Sequence, residues 1–144
     1  MKAKSKQIHD SYGKELLSEI LGRRFKSGRN KHTKVNYGSY IPAFIDGVIN
    51  NCCAIEIESR VDKQVRGALL DLLQHELSKK LLILIPAHMR DPEATAGHCK
   101  YILKKYKKKR QTIKVILLKG TGDKPQRSVD KERIKKALTE LGCL

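Results

Sequence analysis

The sequence has no apolar run near the ~20 residues that cross a bilayer as a helix, which argues against a helical membrane span. Its basic opening, Met1 to Asp10, leads into no apolar core of a secretory leader. A soluble, cytoplasmic protein with no membrane partner is therefore expected. No C-x-x-C pair occurs among Cys52, Cys53, Cys99 and Cys143. Adjacent Cys52 and Cys53 point to opposite faces of a strand, and His88, His98 and Cys99 match no structural zinc spacing. Reduced, buried thiols are the expectation. No internal repeat and no Pro/Gly/Ser-rich linker divides the 144 residues, so residues 1–144 read as one domain.

Acidic residues are scarce. Lys and Arg number 31 against 15 Asp and Glu, a formal charge of +16. Such an excess bears on partners rather than fold, and nucleic acid is the default polyanion. Hydrophobic residues make up 40% of the chain, enough for a packed core rather than a disordered polyelectrolyte.

Periodicity gives the elements. Leu16, Leu17, Ile20 and Leu21 predict a helix over Ser11 to Phe25, followed by a polar, basic connector from Lys26 to Lys34. "NYGSYIPAFIDGVIN" and "CCAIEIE", joined at Asn50-Asn51, predict an antiparallel hairpin. Ser59-x-x-Asp62 is a capping-box pattern opening a helix whose stripe is Val61, Val65, Ala68, Leu69, Leu72 and Leu73. "KKLLILIPAHM" predicts a doubly buried strand, and Pro92 a further helix that ends in the run Lys104 to Arg110. "TIKVILLKG" and "DKERIKKALTELG" supply a last strand and a last helix closed by Gly142. Strands separated by helices imply parallel crossovers, so the expected class is α/β, a mixed β-sheet flanked by helices. The strand carrying Glu56 and Glu58 should be central.

Three carboxylates fall in this most strand-like region. Glu56 and Glu58 share one face, ~6.6–6.8 Å apart along the strand, with Cys53, Ile55 and Ile57 on the other. A two-residue turn would pair Asp46 with Ile55, whereas a three-residue turn pairs it with Glu56. In that second register the carboxylates repel unless a cation sits between them. Carboxylate oxygens suit Mg²⁺ or Mn²⁺, which polarise a phosphodiester and activate water. A glutamate at a strand end also simply reaches solvent, as does an aspartate on an edge.

The D-x(9)-E-x-E pattern on a hairpin, followed by a helix and a buried strand, resembles the PD-(D/E)XK nuclease superfamily over Ser11 to about His88. The resemblance implies the restriction-endonuclease-like core and metal-dependent DNA endonuclease activity with Mg²⁺ or Mn²⁺. It implies Asp46 and Glu56 as metal ligands, with Glu58 in place of the usual lysine, as in E-x-E restriction endonucleases. Glu58 would then be ligand and base, and Lys63 would supply the missing cation, with Arg60 and Gln64 as weaker candidates. Glu15, or else Glu19, would match a first-helix glutamate used by some members. Arg29, Lys31, Lys34, Arg60, Lys104, Lys105, Lys107 and Lys108 are the expected phosphate contacts. A homodimer would suit two-fold DNA. Short length points to a Holliday-junction resolvase and the E-x-E form to restriction enzymes. A noncatalytic nucleic-acid-binding protein with a degenerate nuclease fold is the alternative from another class.

Overall fold

In the computed structural model residues 2–38, 42–60, 62–122 and 124–144 are described, the side chains of residues 2–8 and 62 excepted. Val61 and the Asp62 side chain of the capping-box pattern, like residues 39–41 of the first expected strand, lie outside them.

Apolar residues at helical spacing bury one side of α1 (Lys2–Leu21), and Gly22, at φ 57°, ends it in the left-handed conformation that suits glycine. The helix therefore stops before Phe25. The basic connector is more ordered than its polarity suggested. Phe25–Ser27 is a strand, β1, and the Asn30 side chain closes the turn after it by accepting from His32 and Thr33 N–H. β2 (Lys34–Val35) and β3 (Ala43–Phe44) form a separate two-stranded ribbon. The long first strand read from the sequence is thus broken: β3 ends at Phe44 and β4 (Gly47–Ile49) begins after a bend at Asp46.

β5 (Cys53–Glu58), α2 (Asp62–Gln74), β6 (Lys79–Leu84), α3 (Pro92–Tyr106), β7 (Thr112–Leu117) and α4 (Lys124–Glu140) complete the chain. Asp91 caps α3 by accepting from Ala94 N–H, with Pro92 in the first turn. The main sheet has the order β1-β4-β5-β6-β7, antiparallel at β1-β4-β5 and parallel at β5-β6-β7. The protein is α/β, with a mixed five-stranded sheet flanked by helices and β5 at its centre.

Alternation along β5 sorts the core into two layers. Cys53, Ile55 and Ile57 meet α1 and α4 through Leu16, Leu17, Ile134 and Leu138. Ala54 on the other face joins Val65, Leu69 and Leu72 of α2 and Leu103 of α3. Gly13 lets α1 approach β5, since a Cβ there would lie 2.9 Å from Ile57 Cγ2. No described helix is long and apolar enough to cross a membrane.

One expectation is corrected outright. Cys52 and Cys143 are joined as a disulfide, their Cα atoms 6.0 Å apart across a sequence separation of 91. The hairpin turn and the segment after α4 end beside each other, which spacing along the chain does not reveal. Cys53 and Cys99 are free and buried, as expected of reduced thiols.

Candidate metal and phosphate site

The β4–β5 hairpin pairs Ile49 with Cys53 and Gly47 with Ile55, so the connecting turn is the three residues Asn50, Asn51 and Cys52. Asn51 takes φ 55°, which an asparagine tolerates. This register sets Asp46 opposite Glu56. Beyond Gly47 the backbone ladder gives way to side chains: Asp46 N–H donates to Glu56 Oε1 at 2.7 Å, and Ile57 N–H donates to Asp46 Oδ2 at 2.7 Å. Each carboxylate commits one oxygen to this arrangement.

Glu56 is only 7% exposed. Burial pushes its carboxyl well above the ordinary range, and the negative charge of Asp46 and then of Asp71 adds to the shift. Asp71, on α2, is half-buried and itself raised, by burial first, and Tyr37 Oη donates to its Oδ1. The Tyr37 phenol holds its proton more tightly than usual, again chiefly through burial. Sequence reasoning missed Asp71. Its one signal was an aspartate, a poor interior helix former, set beside the apolar stripe of α2.

Glu58 shares the face of Glu56, but its surroundings differ. It is 1% exposed and bound by Arg60, whose Nη2 lies 2.7 Å and Nε 2.8 Å from Glu58 Oε1, while Ser59 N–H donates to Oε2 at 3.2 Å. Arg60 itself is half-exposed. Ser59 Oγ is buried without a hydrogen-bond partner among the described residues. Lys63 and Gln64 are exposed on the first turn of α2. Glu15 and Glu19 turn instead to α4, where Arg127 pairs with both.

A cavity of about 280 Å³ opens beside Asp46, lined by Lys14, Gly28, Arg29, Pro42, Phe44 and Ile45. Arg29 lies over the Phe44 ring at 5.5 Å. Arg29 was expected from the sequence; Lys14 was not, because a lysine on an amphipathic helix carries no mark of what it faces. Lys31 and Lys34 are exposed on the same β1–β2 segment. Lys104, Lys105, Lys107 and Lys108 are exposed at the far end of α3, beside β7 and hence at the opposite edge of the sheet from β1. The two basic regions do not converge.

No group of three or more His, Cys, Asp or Glu among the described residues is arranged to hold a metal ion. Two carboxylates are nevertheless what Mg²⁺ commonly takes from protein, the rest being water and phosphate oxygen. The donor chemistry of Asp46 and Glu56 fits such an ion, and a cation there would relieve the repulsion that adds to the effect of burial on Glu56. Compared with protein-family models, curated proteins and solved structures, the chain matches none.

Proposed function

We propose that this protein is a metal-dependent DNA endonuclease with a restriction-endonuclease-like core, acting from the Asp46–Glu56 end of its hairpin. The observation that carries this reading is the three-residue turn, which brings Asp46 and Glu56 face to face. The strongly basic composition and the Lys14–Arg29 cavity beside Asp46 support a phosphate-bearing substrate. Asp46 and Glu56 would hold Mg²⁺ or Mn²⁺, which when bound supplies Lewis-acid polarisation of the phosphodiester and a more acidic water. Lys14 and Arg29 bind the phosphate and balance the charge that develops on its oxygens, the task left open where Glu58 stands for a lysine. Glu58 keeps the Arg60 guanidinium in one orientation at the head of α2. Lys31 and Lys34 extend the phosphate contacts, and a homodimer would present two such sites to two-fold DNA.

The test is nicking of supercoiled plasmid and of a synthetic four-way junction with Mg²⁺ or Mn²⁺, comparing wild type with Asp46→Ala and Glu56→Ala. Cleavage by wild type that both variants lose supports the reading, and preference between the two substrates separates a restriction-type enzyme from a junction resolvase. Wild type that cleaves neither substrate, or variants that cleave as well as it does, overturns it. The Glu58–Arg60 pair favours the second reading, a noncatalytic nucleic-acid-binding protein, because it occupies a carboxylate otherwise available to metal. Tight DNA binding without cleavage is the outcome that reading requires.

A further inference from the structure

The other edge of the sheet is formed by β7. Among the described residues β7 pairs only with β6. Thr112 N–H and Leu118 N–H donate inward, to Ser78 O and Leu84 O. Alternation along a parallel strand then turns the N–H and C=O of Ile113, Val115 and Leu117 outward. Leu117 O is taken by Arg133 Nη1 at 2.5 Å, while the outward groups of Ile113 and Val115 have no bond among the described residues. β7 thus carries a short row of alternating donors and acceptors along its open side.

This edge lies in a cleft. Cavities of about 530 and about 440 Å³ run along β7, one against α3 and the other between α3 and α4, and both include Lys100, Lys114 and Val115. Their floor is apolar, since Ile113, Val115 and Leu117 are only partly covered by the α2–α3 core layer. Their walls are cationic: Lys100 and Lys104 from α3, Lys107 just after it, Lys114 from β7, Arg133 and Lys136 from α4, against two carboxylates, Glu93 and Glu140. Glu140 already pairs with Lys114, so the cleft accepts a carboxylate at one point.

We infer that this cleft docks an extended acidic polypeptide segment, which adds to β7 as a sixth strand. A strand satisfies both the donors and the acceptors of the edge, whereas a DNA backbone offers acceptors alone. A second copy of the chain is disfavoured by charge, because each carries +16 and edge-to-edge pairing would bring like lysines together. Acidic side chains flanking an apolar one match cationic walls over an apolar floor. The surface is independent of the carboxylate site and does not rest on nuclease activity.

The probe is an end-blocked peptide of alternating Val and Glu, followed by fluorescence anisotropy and by the amide resonances of the protein. Binding that shifts Ile113 and Val115 is expected, together with a loss of about tenfold or more, the worth of one or two net hydrogen bonds, when alternate peptide nitrogens are methylated. The exposed pair Lys100→Glu and Lys136→Glu, introduced together, should weaken binding at least as much while leaving the fold intact by amide spectrum. Absence of binding, or equal binding by the N-methylated peptide, overturns the inference. So does displacement of the peptide from the same amides by oligothymidylate, which would make the cleft a nucleic-acid surface. Concentration-dependent shifts of Ile113 and Val115 without peptide would assign the edge to a second copy and overturn it as well.

Discussion

Asp46 and Glu56 are joined through the backbone: the amide of one donates to the carboxylate of the other at 2.7 Å, and the Asp46 carboxylate takes Ile57 N–H at the same distance. Two acidic side chains that would otherwise swing apart are held together at the point where the β4–β5 ladder ends. Holding them there keeps like charges close in a poorly solvated place, and several consequences can be measured.

Glu56 should make stability fall as pH rises. Its folded carboxyl lies well above 4.5, because of burial and then of Asp46. A raised folded value contributes stability that is fully present below about 4.5 and is lost as pH climbs through the folded value. Urea midpoints should therefore decline as pH rises from about 4.5 through the raised folded value, and Glu56→Gln should flatten the decline. At neutral pH Mg²⁺ should raise the Tm of wild type and leave that of Glu56→Gln unmoved, an effect read without any nuclease assay.

Lys14→Gln should reduce metal-dependent cleavage by about a hundredfold, as expected for loss of one charge-stabilising donor. Its side chain is only half-buried, so unfolding free energy should change by less than about 0.5 kcal/mol. Single-turnover cleavage and urea unfolding check the two halves. Lys63→Gln, assayed alongside, shows whether the head of α2 supplies a cation as well.

The Cys52–Cys143 bridge closes a long loop, with a separation of 91. Its reduction, or Cys52→Ser, should lower stability by about 2–4 kcal/mol. Thiol titration of the denatured, unreduced protein should find two reactive groups, Cys53 and Cys99, and titration after reduction should find four.

Lys80 is fully buried and donates to Leu72 O and to His75 O at the end of α2. Burial, and then Lys108, pushes its ammonium down to about 8 from 10.5. Between those values the unfolded chain binds more protons, so this group makes stability rise with pH across the window. Cys53, pushed up to about 12 by burial, acts with the opposite sign at high pH. The difference between wild type and Lys80→Met isolates the lysine: wild type should gain on the variant from about pH 8 to about pH 10 in chemical denaturation.

Elements set by local patterns are legible in the sequence. The apolar stripe of α2, the doubly buried β6 and the Pro92 start of α3 follow from periods of 3.6 and 2 and from capping chemistry, which act over a few residues. The two asparagines allowed either turn length, and the three-residue turn found is the one that lets Asp46 meet Glu56. The basic connector misled, because polarity says little about a short edge strand such as β1 whose partner, β4, lies further along the chain.

Local patterning along the chain sets the order of helices and strands from β5 onward, the face shared by Glu56 and Glu58, and the excess of positive charge. Only the tertiary structure decided that Glu58 is bound by Arg60, that Asp71 and Lys14 stand near the Asp46 hairpin, and that the two basic regions lie at opposite edges of the sheet. It likewise brought Cys52 to Cys143. The physical reason is common to most of these. Local propensity and periodicity constrain neighbours, whereas such contacts join residues from distant parts of the chain, and the packing of whole layers selects which of them meet.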